Sequence, residues 1–94
     1  MKPAGARAAA VSALVRQEQG GYSNLVLDAE LRRQTLSDRD KGFAGAIFYT
    51  VLERQNTLDY ILGQFLPKGI AKLDPPVRAI LRSGLAQARY MQGP

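Results

Sequence analysis

The chain has 94 residues, of which 46% are hydrophobic and 22% charged, so it is long enough for one small globular domain and too short for two. It contains no cysteine and no histidine, which excludes disulfides, thiolate nucleophiles and the most common acid–base group and metal ligand at neutral pH. Thirteen Lys and Arg against eight Asp and Glu give a net charge of +5, which favours a polyanionic partner.

The spacing of apolar residues predicts five helices and no strand, so we expect an all-α domain, a compact five-helix bundle, over residues 1–94. The first helix is Ala-rich and runs from about Ala6 to Gln19, where a Gly-Gly pair stops it. The second helix is short and covers the segment LVLDAELRR, which follows the capping residues of a Tyr-Ser-Asn turn.

Ser37 begins the sequence SDRD, a variant of the capping box that predicts the start of a third, central helix. Its core-facing residues recur at helical spacing: Phe43, Ala44, Ile47, Phe48, Val51 and Leu52. Asn56 or Thr57 is expected to cap a fourth helix, which Pro67 and Gly69 end. The predicted core stripe of this helix consists of Leu58, Ile61, Leu62, Phe65 and Leu66.

Asp74 as N-cap and Pro75 in the first helical position predict the start of a fifth helix. One broad apolar arc predicts its buried side: Val77, Ile80, Leu81, Gly84, Leu85, Ala88 and Met91. Opposite this arc lies a face of mostly small residues: Ala79, Ser83, Ala86 and Tyr90. A helix that is apolar on two sides requires cover on both. Because the main arc is expected to pack on the bundle, we expect the second face to be exposed in a single copy and to mediate a homodimer through helix five.

Three arginines of the fifth helix, Arg78, Arg82 and Arg89, project in a row beside the apolar arc, as phosphate binding by guanidinium groups requires. The alternative is a solvated helix edge with one arginine in an ion pair, and Arg82, nearest the middle of the helix, is the first candidate. On the first helix, Arg7 could reach an anion together with Lys2, or pair with a carboxylate. These five residues are the candidate RNA-binding residues.

Aromatic residues that could stack on bases are Tyr22 and Tyr90, because the three phenylalanines have the spacing of core residues. The carboxylates Asp38, Asp40, Asp59 and Asp74 mostly occupy predicted helix starts, where they oppose the positive end of the helix dipole. Without a strand, a glycine-rich phosphate loop has no place, so we expect no cofactor site. Because histidine and cysteine are absent and the carboxylates serve as helix caps, we also expect no catalytic or metal site on this chain.

Three segments in this order resemble the amino-terminal helical domain of bacterial small-subunit ribosomal RNA cytosine-C5 methyltransferases, which belongs to the NusB family of antitermination factors: GGYSNLVLDAEL, LSDRDKGFAGAIFYTVLERQNTLDYIL and KLDPPVRAILRSGLAQARYM. The resemblance covers nearly the whole chain. It implies a truncated NusB-like fold that binds RNA and helps to place ribosomal RNA for a separate catalytic domain with S-adenosylmethionine and two cysteines. This chain has no cysteine and is not expected to be an enzyme on its own.

The chain also departs from these proteins, because Thr50 and Glu53 stand where the methyltransferases often have Gly and Arg, and Ala86 replaces a common aromatic residue. The antitermination factors open with an arginine-rich segment, for which this chain has only Lys2 and Arg7. The alternative function is a protein-interaction domain, either an antitermination-type factor that pairs with a ribosomal protein or a scaffold that docks mainly on its own catalytic domain. We expect an excised fragment of a cytoplasmic protein with no membrane partner.

Overall fold

The computed structural model describes residues 5–91, which form four α-helices and one 3₁₀ turn. The helices are α1 (Ala6–Gln17), α2 (Ser23–Arg32), α3 (Asp38–Gly63) and α4 (Pro75–Tyr90), and the 3₁₀ turn is Ile70–Lys72. No strand occurs within this range, so the predicted all-α class is confirmed, whereas the predicted number of five helices is wrong.

The predicted third and fourth helices are one continuous helix of 26 residues, α3. Asn56 and Thr57, predicted to cap a new helix, are exposed residues inside it. Both residue types favour caps without preventing a helix from continuing, and the apolar stripe runs through this point, since Val51 and Leu58 are both fully buried. The break that the sequence predicted is therefore absent.

Both ends of α3 follow from local chemistry. Ser37 is the N-cap, as predicted, and its hydroxyl accepts a hydrogen bond of 3.1 Å from the backbone N–H of Asp40. At the other end the helix stops at Gly63, before the proline that was expected to end it. Phe65 consequently lies beyond the helix and is 78% exposed, so its predicted place in the core is wrong.

Two glycines turn the chain between α1 and α2, where the sequence predicted the first helix to stop. Gly20 and Gly21 have φ angles of +102° and +109°, which residues with a Cβ rarely adopt. The side-chain amide of Gln17 donates a hydrogen bond of 3.0 Å from its Nε2 to the backbone carbonyl of Gly21, which fixes the turn against the end of α1. The turn lets α2 fold back to contact α1.

The core is formed by α3 at the centre with α1 and α4 packed against it. The largest fully buried side chains all come from α3: Phe48, Ile47, Leu58 and Val51. On α1 the buried residues are instead mostly alanines: Ala6, Ala9, Ala10 and Ala13. Because alanine side chains are short, the backbone of α1 can approach α3 and α4 closely.

α4 packs mainly with the face opposite to the one predicted, and of the predicted arc Leu85 and Met91 are partly buried against the core. Its buried residues include Ala79, Ser83 and Ala86, whereas Val77 and Ile80 of the predicted buried arc are 44% and 55% exposed. The small residues face inward because the alanine surface of α1 and the closely packed α3 leave no room for larger side chains. Of the face that was expected to be exposed and to mediate a homodimer, Ala79, Ser83 and Ala86 are therefore part of the internal core, and Tyr90 alone is exposed.

None of the helices between residues 5 and 91 combines the length and the apolar character that crossing a membrane requires.

Candidate functional site

Arg82, a candidate RNA-binding residue, is held by carboxylates between the helices. Its Nε and Nη2 atoms each donate a hydrogen bond of 2.8 Å to the carboxylate of Asp59 on α3. Its Nη1 donates to Glu18, the residue after α1, at 3.1 Å. Every guanidinium nitrogen thus has an acceptor, and the residue is only 9% exposed. The interpretation of Arg82 as the first candidate for an ion pair is confirmed.

Arg78 is held in the same way one turn earlier on α4. Its Nε and Nη2 donate to the two carboxylate oxygens of Glu18 at 2.9 and 2.6 Å, and its Nη1 donates to the carbonyl of Leu73. The hydrogen bond with Glu18 raises the pKa of Arg78. The same bond lowers the pKa of Glu18, helped by the positive charges of both arginines and opposed by burial.

The four residues Glu18, Asp59, Arg78 and Arg82 form what we call the Glu18 network, which ties the end of α1 and the carboxy-terminal part of α3 to α4. Asp59, expected at a helix start, lies inside α3 because the predicted third and fourth helices are one. Arg78 and Arg82 thus use their hydrogen-bond donors within the domain. Contact of these two residues with RNA stays a prediction.

Arg7 lies exposed at the start of α1 and is positioned by two other helices. Its Nε donates a hydrogen bond of 2.7 Å to the side chain of Gln87 on α4, and its guanidinium carbon is 5.3 Å from the centre of the Phe43 ring on α3. No carboxylate among residues 5–91 forms an ion pair with it. Lys2, its predicted companion, lies outside the described residues.

Arg89 and Tyr90, in the last turn of α4, meet Arg54 of α3. The guanidinium carbons of Arg54 and Arg89 are 5.0 and 5.6 Å from the centre of the Tyr90 ring, and Arg89 Nε donates to the Tyr90 hydroxyl at 3.2 Å. All three residues are exposed, as predicted for Tyr90. Neither arginine pairs with a carboxylate in the described part of the chain.

Sequence reasoning missed Arg54, and helical spacing gives only a weak signal for it. Opposite charges three or four residues apart on a helix can pair, and Arg54 has no carboxylate at these positions, which hold Thr50, Val51, Thr57 and Leu58. The same is true of Arg16 and Arg82, which nevertheless pair with carboxylates of other helices. By contrast, Arg32 pairs with Asp28 one turn earlier on α2.

We call Arg7, Arg54 and Arg89 the α4-end cations, because they surround the last turn of α4. Gln87, which holds Arg7, and Arg89 project from nearly opposite sides of the helix, since two residues correspond to about 200° of rotation. Positive charge is therefore presented on both sides of this helix end, without neutralisation by carboxylates of residues 5–91. Guanidinium groups in such surroundings suit the phosphates of a polyanion.

A second surface feature is an open groove of about 670 Å³ between α1 and α4. Its apolar lining includes Val11, Val15 and Ile80, and Arg16 and Arg33 lie at its border. Both of these arginines pair with the buried carboxylate of Glu30. An apolar groove of this kind suits a protein segment better than a nucleic acid.

Metal and cofactor sites have little support in this part of the chain. Between residues 5 and 91 no three side chains of the types that bind metals lie together. The same residues contain no strand, and so no strand-to-helix loop that could hold the nucleoside of S-adenosylmethionine. These residues do not fit the cofactor, and its binding by a separate domain stays a prediction.

Comparison with known proteins gives one family and three relatives. The chain matches the NusB family over residues 4–94. It is 41% identical over 78 residues to ribosomal RNA small subunit methyltransferase B of Thermus thermophilus, an alignment that covers 83% of this chain and 19% of the relative. It is 36% identical over 93 residues to the probable ribosomal RNA small subunit methyltransferase B of Bacillus subtilis, with coverage of 98% and 21%. The corresponding probable enzyme of Synechocystis is 36% identical over 70 residues, with coverage of 74% and 16%.

This chain thus spans about a fifth of the length of the curated relatives it matches. No solved structure is a significant match.

Proposed function

The chain belongs to the NusB family, and we propose that it is an RNA-binding module that helps to position ribosomal RNA for a separate S-adenosylmethionine-dependent cytosine-C5 methyltransferase domain. The names of the three relatives support a role in ribosomal RNA methylation. A thiolate nucleophile would have to come from another domain, because this chain has no cysteine. Binding and placement of RNA are therefore the contribution that we assign to this chain.

The observation that carries the proposal is the group of α4-end cations. Five cations of the described residues are bound to carboxylates: Arg16, Arg32, Arg33, Arg78 and Arg82. Arg7, Arg54 and Arg89 form no ion pair among residues 5–91, and the same holds for Arg39, Lys41, Lys68 and Lys72. What distinguishes the three arginines is that aromatic rings hold their guanidinium groups in place while the charge stays uncompensated. Such cations attract phosphates without first breaking an internal ion pair.

A second candidate function is supported by the groove between α1 and α4. Val77 and Ile80 are the exposed large apolar residues of α4 beside it, and together with the groove they form a surface suited to a protein. This favours an interaction scaffold, which would dock on its own catalytic domain or, in an antitermination-type factor, on another protein. Such a scaffold would not require uncompensated arginines at the end of α4.

The test is the affinity of the 94-residue chain for a fluorescently labelled RNA stem–loop, measured by anisotropy over a series of salt concentrations. We expect the logarithm of the binding constant to fall with the logarithm of salt concentration by roughly 0.7 to 0.9 per phosphate neutralised. Arg7→Gln should weaken binding equally for two stem–loops of unrelated sequence, because phosphate contacts carry no sequence information.

The matched control is Arg32→Gln, which removes the same charge from an arginine of α2 that is paired with Asp28. This variant should bind RNA with nearly the affinity of the parent chain. Absence of RNA binding by the parent chain at low salt would contradict the proposal and favour the scaffold. Equal losses for Arg7→Gln and Arg32→Gln would show that net charge alone governs binding.

A further inference from the structure

Two pairs of arginines connect α4 to neighbouring helices, and they differ in the group that both arginines of a pair contact. In the Glu18 network, Arg78 and Arg82 both donate to the carboxylate of Glu18. In the other pair, Arg54 and Arg89 both lie against the ring of Tyr90. The first pair shares an anion, whereas the second pair shares only a neutral ring.

The second pair has no anion within the described residues. Glu53 is next to Arg54 in sequence, yet it forms no ion pair with any cation of residues 5–91. Asp59, the next carboxylate on α3, is bound to Arg82. Two guanidinium groups held at one ring repel each other, and an anion bound to both offsets this repulsion. The carboxylates of residues 5–91 do not supply that anion.

The donors that remain define what this anion can be. Arg89 uses Nε for the Tyr90 hydroxyl, so its two terminal nitrogens are available, and no side-chain or backbone acceptor among residues 5–91 holds Arg54. Guanidinium groups of this kind suit the two unesterified oxygens of a phosphodiester. The ring restricts both side chains, which lowers the entropy that they lose on binding.

We propose that Arg54 and Arg89, positioned by Tyr90, clamp one phosphodiester group of RNA, which takes the place that Glu18 has between Arg78 and Arg82. The proposal rests on the RNA-binding function proposed above and names a subsite for it. Arg54 and Arg89 bind the phosphate. Tyr90 is a positioning residue, since its ring holds the guanidinium groups of Arg54 and Arg89.

The test uses the 94-residue chain and the labelled RNA stem–loop, with Arg54→Gln, Arg89→Gln and the double variant. Each single change should weaken binding at low salt by about fivefold to tenfold. The double variant should be only slightly weaker than either single variant, because both changes remove the same phosphate contact. Its salt slope should be shallower by roughly 0.7 to 0.9. Arg32→Gln is the control for loss of charge.

Tyr90 is tested with two substitutions that separate its ring from its hydroxyl. Tyr90→Phe keeps the ring and should bind RNA nearly as the parent chain does, whereas Tyr90→Leu should lose about as much affinity as the arginine variants. Thermal unfolding of every variant shows whether the domain is still folded. If the two arginines only stabilise the negative end of the α4 dipole, their substitution should lower the Tm and leave the RNA affinity of the folded protein unchanged.

The outcomes distinguish this proposal from the one on which it rests. If the parent chain does not bind RNA, the proposed function fails and the clamp with it. If the parent chain binds RNA and both single arginine variants bind it as tightly as the parent chain does, only the clamp is overturned. Fully additive losses in the double variant would overturn the single shared phosphate. In a competition experiment, polyglutamate should displace the labelled RNA less effectively than unlabelled RNA of equal charge does. Equal effectiveness of the two competitors would overturn the preference for phosphate.

Discussion

Arg82 and Asp59 meet in a planar ion pair with two parallel hydrogen bonds of 2.8 Å, which joins α4 to α3. The Arg82 side chain is 10% exposed and that of Asp59 is 25% exposed, so water screens the pair only partly. A bidentate pair in such a position fixes the angle and the register of the two helices. It also means that the loss of either partner leaves a poorly solvated charge behind.

We expect Asp59→Asn to lower the free energy of unfolding by about 2–4 kcal/mol, because it leaves the Arg82 guanidinium without its main counter-charge. Urea denaturation followed by circular dichroism measures this change. The control is Asp28→Asn, which breaks the exposed pair with Arg32 on α2 and should change the free energy by less than about 1 kcal/mol. Similar effects of the two substitutions would show that the pair between α3 and α4 is no stronger than a surface pair.

The lowered pKa of Glu18 predicts a pH-dependent stability. In the folded state the pKa of the Glu18 carboxylate lies below its ordinary value of 4.5, mainly because of the hydrogen bond from Arg78. The unfolded state therefore takes up the proton first. The stabilisation is fully present above the ordinary pKa and is lost as the pH falls through the lower folded-state pKa.

Glu18→Gln should accordingly have a lower Tm than the parent chain at neutral pH, and the difference should shrink as the pH is lowered through and below 4.5. Differential scanning fluorimetry over a pH series measures it. Glu53→Gln, which changes an exposed carboxylate of α3 with no ion pair among residues 5–91, should show no such convergence. A constant difference between parent and Glu18→Gln at all pH values would contradict the stabilising role of the Glu18 charge.

Ala86 and Ala88 are two residues apart on α4 and have opposite surroundings, since Ala86 is fully buried and Ala88 is exposed. Ala86→Glu should unfold the domain or lower the free energy of unfolding by more than about 3 kcal/mol, because it forces a carboxylate into the core. Ala88→Glu should change the stability by less than about 0.5 kcal/mol. Circular dichroism and light scattering measure folding and size together. A folded Ala86→Glu protein of reduced size would instead restore the predicted dimer through this face.

Helix starts were predicted correctly where a single local feature determines them. Ser37 caps α3 through its own hydroxyl, and α4 begins at Pro75, whose missing N–H costs nothing in the first turn. The division of α3 was wrong because Asn56 and Thr57 favour a cap only where the chain already leaves the helix. The prediction of which face of α4 points inward was wrong because both sides of this helix are apolar. The alanine surface of α1 decides between them, and it is a property of a different helix.

The candidate site was predicted in part for the same reason. Tyr90 is exposed as predicted, although the other residues of the face on which it was placed are buried. Its contact with Arg54 was not predicted, because that contact joins two helices. The ion pairs of Arg78 with Glu18, 60 positions apart in sequence, could not be read from helical spacing either. Residue types and periodicity show which side chains lie on one helix face, whereas the partners of charged groups depend on how the helices are assembled.

The alanine face of α1 also affects how this helix finds its place. Alanine has no side-chain rotamers, so burying Ala6, Ala9, Ala10 and Ala13 removes no rotational freedom from these side chains. The same surface made of leucines would lose roughly 0.5–1 kcal/mol of conformational entropy per residue on burial. Docking of α1 at these positions thus requires no search among side-chain conformations of α1 itself, and only the partner side chains of α3 and α4 must find their rotamers.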